Sequence, residues 1–469
     1  MRRNLFQPRS RAALMLTTCA AVATLSAATA AQTTKPNLIY ILIDDLRWDA
    51  LSVTGSPLAP TPNIDRIGKE GMVFRNAFVT LPLCSPSRAS FLTGQYARTH
   101  GIRDNTNRGP LSHRIPMFPR ALQSSGYETA YIGKLHMGND DAPRPGFDHW
   151  VSFKGQGAYI DPMININGAA EKKTGYMTDL LSDYAVEFVK KTHSKPFFMA
   201  LAHKAVHGPF TPAERHRGLV ADQPVKRSPG AADNLEGKPV LTREVMGPMG
   251  RKLGPVKPGG GSGDELIRNQ IRCVQSIDEG VGKLLAALKD TAQLDNTVLV
   301  FTSDNGYFWG EHGLGDKRFA YEESIRIPFL VRYPRLVKAG SVSESMILNV
   351  DLAPTFLELA GATAQTRLNG RSIVPLLSGK SDGWRKSAYF EYFHEPQFPR
   401  CPTWEAVRTA EWKLVRYPEV PDADELYDLK RDPHELKNLA AAPDAAARRR
   451  ELDQELQRLK GEIAEGPGD

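Results

Sequence analysis

The chain has 469 residues, 41% apolar and 24% charged, the balance of an ordinary soluble enzyme. Its length exceeds that at which one core usually stops growing, so one large domain and a smaller one are expected. The formal charge of +7 falls to +3 once the four arginines of residues 1–31 are set aside, and no basic helix interleaves with aromatics. Nucleic acid is therefore not an expected partner. A mild positive excess suits an anionic substrate.

At the N-terminus, Arg2, Arg3, Arg9 and Arg11 precede an apolar run over 12–27, and Ala28, Ala30 and Ala31 follow. That is the pattern of a signal peptide over 1–31, cleaved near Ala30 or Ala31. It predicts an exported protein, periplasmic or secreted. Arg2-Arg3-Asn4-Leu5-Phe6 loosely fits a twin-arginine signal, though Sec export is the expectation. No later stretch offers the roughly 20 apolar residues of a membrane span. Without the signal, Cys84, Cys273 and Cys401 remain. An odd count leaves at least one thiol outside any disulfide.

The first strand is read over 37–43, a continuous apolar run ending in Asp44-Asp45. Such runs belong to strands buried on both faces, and carboxylates at their ends belong to the carboxyl edge of a parallel sheet. Thr61-Pro62 opens a short helix through Glu70, with Thr61 as N-cap. Further strands are predicted over 129–132, 196–202, 297–302 and 328–331, with helices over 176–192 and 266–288. Alternation of strand and helix argues for a parallel α/β sheet. Residues 224–263, rich in Gly, Pro and charge, read as an irregular surface insertion. After 377 the pattern changes to short antiparallel strands over 388–393, 406–415 and 425–429 and a charged amphipathic helix over 443–463. The domains expected are thus 32–377, containing the chemistry, and 378–469.

Cys84-Ser85-Pro86-Ser87-Arg88 carries the densest signal. Pro86 suits a first helical turn, which puts Cys84 at a helix N-terminus, where amides and the helix dipole favour an anion. Arg88, one turn on, reaches the same anion. Asp44, Asp45, Asp304 and Asn305 are four hard oxygen donors at the ends of two predicted strands, a set suited to Ca²⁺ or Mg²⁺.

Cys-x-Pro-Ser-Arg followed by Leu92-Thr93-Gly94 resembles the signature of type I, formylglycine-dependent sulfatases. Lys134-Leu135-His136, Ala205-Val206-His207-Gly208-Pro209, Asp304-Asn305-Gly306 and Lys317 fall in that family's order. Val206 stands where many relatives carry proline. The resemblance implies an alkaline-phosphatase-like α/β fold with a small C-terminal α+β subdomain. It also implies a formylglycine-generating maturation enzyme as a partner, and Cys84 oxidised to formylglycine. One hydroxyl of the hydrated aldehyde attacks sulfur; the second loses its proton and ejects sulfate, an exit that serine lacks.

By the same resemblance one Ca²⁺ is held by Asp44, Asp45, Asp304, Asn305 and the oxidised residue 84. Arg88, Lys134 and Lys317 bind sulfate oxygens, and His136 orients a formylglycine hydroxyl as its base. His207 protonates the departing alcohol, while His203 is structural or supporting. The side chains of Gly310-Glu311-His312-Gly313 face the substrate or form a connector. Cys273 and Cys401 pair or stay as buried thiols. The substrate expected is a sulfated carbohydrate, with similarity over 203–217 and 310–323 to N-acetylglucosamine-6-sulfatase-like bacterial enzymes. The rivals are a phosphate or phosphonate monoester hydrolase, against which Cys84 and a single metal cluster speak, and an inactive carbohydrate-binding relative, against which the full set of groups speaks.

Overall fold

A computed structural model describes Met1, residues 35–106 and residues 108–466. Met1 aside, the expected signal segment 1–31 lies outside the described residues.

The central sheet is built from β1 (Asn37–Ile43), β2 (Met72–Phe78), β3 (Glu128–Gly133), β4 (His149–Ser152), β5 (Met163–Ile166), β6 (Ala169–Lys172), β7 (Phe197–Ala202), β8 (Thr297–Ser303), β9 (Arg326–Arg332) and β10 (Ser341–Ser343). In space the order is β10-β2-β9-β8-β1-β7-β3-β4-β5-β6. The middle is parallel: β8, β1, β7, β3 and β4 pair in one direction, and β9 is antiparallel to β8. The fold is a mostly parallel α/β sheet, and its carboxyl edge collects the ends of β1, β3, β7 and β8.

β1 explains why its sequence is apolar without alternation. Leu38, Tyr40 and Leu42 point into one core with Phe91 and Leu92 of α2 (Cys84–Thr93). Ile39, Ile41 and Ile43 point into the other, with Ile64 and Ile67 of α1 (Pro62–Lys69), Leu181 and Ala185 of α3 (Met177–Lys190), and Ile277 and Val281 of α4 (Asp264–Asp290). A strand covered on both faces needs apolar residues at both phases of its period. Each fully buried Ile or Leu contributes about 1.5–3 kcal/mol. Thr61 sits at the N-cap of α1 but makes no capping bond. Its hydroxyl donates to the Asp65 side chain at 2.8 Å instead.

Gly133 ends β3 with φ +121°, and a Cβ there would stand 1.8 Å from the Ala202 carbonyl oxygen of β7. Only glycine lets β3 turn away this close to its neighbour, and the next residue is Lys134, whose N–H donates to the same oxygen at 2.8 Å.

Towards the C-terminus a four-stranded antiparallel sheet forms from β11 (Ser387–Tyr392), β12 (Trp404–Thr409), β13 (Trp412–Arg416) and β14 (Glu425–Asp428). The run read as one strand over 406–415 is two strands, folded back at Ala410-Glu411. Helix α5 (Ala446–Glu462) buries Leu452 and Leu456 against this sheet. The stretch 224–263 has little regular structure, yet Asp233, Leu235, Lys238, Val240 and Leu241 are buried. Leu235, Val240 and Leu241 belong to the apolar cluster of the C-terminal sheet, so the stretch is partly core.

Candidate active site

Chain direction brings the site together. β1 delivers Asp44 and Asp45, and β8 delivers Asp304 and Asn305 beside them, because the two strands pair in register from Asn37↔Thr297 to Ile43↔Ser303. The Asp45 N–H donates to Asp304 Oδ1 at 3.1 Å and the Leu46 N–H to Ser303 Oγ at 2.9 Å. β7 continues into the loop 203–209, tied back to β1 by the Asp44 N–H to the Ala205 carbonyl at 3.0 Å and the Val206 N–H to the Asp44 carbonyl at 2.8 Å. Cys84 is the first residue of α2, and Asn105 Oδ1 accepts the Ser85 N–H at 3.0 Å.

The charged groups are all buried. The Cys84 thiol donates to Asp44 Oδ1 at 3.5 Å. Lys134 Nζ donates to Asp44 Oδ2, Lys317 Nζ to Asp45 Oδ1 at 2.5 Å, and Arg88 Nε to Asp304 Oδ2 at 2.8 Å. Three carboxylates thus face three cations, with Arg88 shared between Asp304 and, at 3.5 Å, Asp44. Burial pushes the Cys84 thiol up to about 12, with Asp44 adding to the effect; at neutral pH it is a protonated and weakly nucleophilic sulfur. Burial and Asp44 raise the Asp304 carboxyl to about 7, against the pull of Arg88. Asp44 is held well below the usual carboxylate range: burial opposes this, but Lys134, His207 and Arg88 outweigh it.

Oxygens of Asp44, Asp45 and Asp304 lie within 4.8 Å of one another. Asn305 Nδ2 donates to Asp45 Oδ1 at 2.6 Å, while its buried Oδ1 has no hydrogen-bond partner among the described residues. An orphaned amide oxygen beside three carboxylates is a donor set that could hold a hard divalent cation.

His207 Nε2 lies 3.9 Å from Asp45 Oδ2, and His207 joins Asp44 and Cys84 in a second cluster of donor atoms within 4.8 Å. Burial lowers the imidazole to about 4, with Lys134 adding to the effect and Asp44 opposing it. His203 is buried with Nδ1 unpartnered among the described residues. His136 packs against Ser85 Oγ (3.5 Å) and Gln156 (3.3 Å).

Gln156 escaped the sequence reading. Its Oε1 accepts from Lys134 Nζ at 2.6 Å while its amide nitrogen faces His136. Its one signal was a polar residue between Gly155 and Gly157, just past a strand. Glu311 and His312 are buried connectors held by protein groups. Glu311 accepts from Arg47 and Ser228, both at 2.9 Å. His312 Nδ1 lies 2.6 Å from Asp233 Oδ2, and its ring stacks on Tyr321 at 4.0 Å. They pin residues 228–233 in place. Cys273 and Cys401 are free buried thiols, in separate cores.

The family model named Sulfatase matches residues 36–362. The chain belongs to the sulfatase family. A second model, N-sulphoglucosamine sulphohydrolase, C-terminal, matches 310–462. The sulfatase is 34% identical to the N-acetylglucosamine-6-O-sulfatase of Bacteroides thetaiotaomicron, over 93% of this chain and 88% of that protein. It is 32% identical to human N-acetylglucosamine-6-sulfatase, over 88% and 83%. Its fold matches, with a TM-score of 0.83 and 33% identity over 92% of this chain and 98% of the other, a protein solved in complex with its substrate D-glucosamine-2-N,6-O-disulfate. The sulfatase is accordingly a sulfuric ester hydrolase with an alkaline-phosphatase-like fold and a C-terminal antiparallel subdomain. Among the described residues, no helix is long and apolar enough to cross a membrane.

Proposed function

We propose that this sulfatase removes the 6-O-sulfate of a glucosamine-type unit in a sulfated glycan, with Cys84 converted to formylglycine by a maturation enzyme and with one Ca²⁺. The observation that carries the reading is the convergence on Cys84. Its sulfur touches Asp44, and Arg88, Lys134, His207 and Lys317 all reach Asp44, Asp45 or Asp304. The sugar is supported by the relatives named above.

Asp44, Asp45, Asp304, Asn305 and an oxygen on residue 84 would hold the ion, which supplies Lewis-acid charge at the sulfate oxygens. The hydrated aldehyde supplies a nucleophilic hydroxyl and a second hydroxyl that releases sulfate. Arg88, Lys134 and Lys317 bind the anion and favour its shifting charge from fixed positions. His136, held by Ser85 and Gln156, orients the hydroxyls. His207 donates the proton to the departing sugar oxygen; the negative charge of an entering ester lifts an imidazole that burial otherwise holds down. An exported enzyme, by the signal-like N-terminus, would meet such glycans outside the cytoplasm.

Two measurements test the reading. The tryptic peptide spanning residue 84 should be lighter than its thiol form by about 18 Da, as expected for CH₂SH replaced by CHO. Against defined saccharides, N-acetylglucosamine-6-sulfate should be desulfated faster than 2-O- or 3-O-sulfated sugars, and aryl sulfate faster than aryl phosphate. An active enzyme with an unmodified thiol, or a preference for phosphate, defeats the proposal.

A further inference from the structure

Lys204 takes no part in the roles above. It is 1% exposed. Its Nζ donates to the Gly208 carbonyl at 3.0 Å and stands 4.7 Å from the centre of the Tyr159 ring. No carboxylate pairs with it among the described residues. A buried ammonium without an anion is costly, so the groups that hold it matter. The ring face and the carbonyl oxygen each offset part of that cost, yet burial still lowers the amine to about 8, with Lys134 adding to the effect.

The same Gly208 oxygen lies 3.0 Å from His207 Nδ1. A carbonyl only accepts, and it has two lone pairs. Nδ1 therefore carries the proton and donates, and the oxygen serves two donors, one of them charged. This leaves Nε2 as the nitrogen turned to Asp45 Oδ2. The Tyr159 hydroxyl donates to the His207 carbonyl at 2.7 Å, so the ring that faces Lys204 also holds the backbone of His207. Lys204, Tyr159 and the Gly208 carbonyl form a bracket around one imidazole.

We infer that Lys204 is a positioning residue: its ammonium fixes the Gly208 carbonyl, which sets the tautomer and direction of His207. The inference rests on reading His207 as the leaving-group acid. Displacing a proton donor by an ångström costs about 10² in rate, and only where the leaving group needs the proton.

The test uses the full matured enzyme as wild type, Lys204→Met, Lys204→Arg, His207→Ala and the double variant Lys204→Met with His207→Ala. Each is assayed on N-acetylglucosamine-6-sulfate and on 4-nitrophenyl sulfate. Lys204→Met should lower kcat on the sugar sulfate by about 10² with KM little changed, and lose far less on the nitrophenyl ester. Lys204→Arg should recover most of the loss. On the His207→Ala background Lys204→Met should cost nothing further, since coupled residues are non-additive. Equal losses on both substrates, or additive losses in the double variant, overturn the inference. If Lys204→Met does not fold, Lys204→Gln, which drops the charge and shortens the reach, is read in the same way. A His207→Ala variant with no leaving-group selectivity overturns the acid assignment itself. A selective His207→Ala with an unselective Lys204→Met overturns the positioning role alone.

Discussion

Two clusters of buried charge invite comparison, one at the carboxyl edge of the central sheet and one where the C-terminal sheet meets the segment after Lys317. In the second, Glu322 accepts from Arg408 Nε at 2.9 Å and Nη2 at 3.1 Å, a two-pronged pair. Lys413 Nζ adds a bond to Glu322 at 3.1 Å and one to the Ala320 carbonyl at 2.8 Å. Burial alone would raise the Glu322 carboxyl, but Arg408 and Lys413 hold it well below its ordinary range. At the first cluster the cations are spread over three acids. Arg88 Nη2 and Asn305 Oδ1 keep no hydrogen-bond partner among the described residues, and Asp304 sits high rather than low. Charges spent on one another make a latch. A raised acid alone does not make a site, since burial raises Glu435 beside Lys413 to about 7 as well. At the first cluster the spare Asn305 Oδ1 stands beside three grouped carboxylates, where a cation can meet it.

The sharpest break of this comparison is Asp304→Ala. It removes one of the clustered acids and the 2.8 Å partner of Arg88, and activity should fall by about 10³ or more. Chelation of the wild type should reproduce the loss, and added calcium should restore only the wild type. Full activity of the variant at low calcium would show that the acids do not hold the ion.

Glu322→Ala breaks the latch instead. It strips Arg408 of its carboxylate while Lys413 keeps Glu435 at 2.6 Å, and removing one partner of a buried pair costs about 3–5 kcal/mol. Denaturant melts should report that loss, while kcat of the folded enzyme on 4-nitrophenyl sulfate at 25 °C stays near wild type. A fall in kcat without a fall in stability would mean that the two clusters are one.

The last comparison turns on a group that meets burial by giving up its charge. Burial lowers His100 to about 3. Its Nδ1 accepts the Ile102 N–H at 3.1 Å, and its Nε2 donates to Ser90 Oγ at the same distance. The unfolded chain takes up a proton below about pH 6.5 and the folded one does not until about pH 3, so this contribution is complete above pH 6.5. It is lost on acidification at up to about 1.4 kcal/mol per unit. His100→Asn should flatten the acid slope of stability between pH 6.5 and 4. An unchanged slope would place the acid sensitivity elsewhere.

The strands that carry the site were legible because their signal is local. A strand buried on both faces must be apolar along its middle at both phases of the period, and 38–43, 196–202 and 298–301 are. Irregular segments were not legible, because burial without period leaves no pattern. Nothing in 224–263 announced that Leu235, Val240 and Leu241 pack under the C-terminal sheet. Ala410-Glu411 was too short a turn to show as a break between two strands.

The sequence by itself determined the inventory: a cysteine at the head of a helix, acids at strand ends, and basic residues just beyond them. Those are fixed by covalent order and by the periods of helix and strand. Only the tertiary structure decided which of them meet. The pairing of β1 with β8 sets Asp44 and Asp45 beside Asp304 and Asn305 across some 260 residues of chain. The tight exit of β3 at Gly133 sends Lys134 to Asp44, and the loop after β7 turns His207, and not His203, towards Asp45. The same packing turned Glu311 and His312 inward and brought in Gln156 and Lys204. Sequence spacing carries no information on such contacts, since they depend on the distances between elements that fold together and not on distances along the chain.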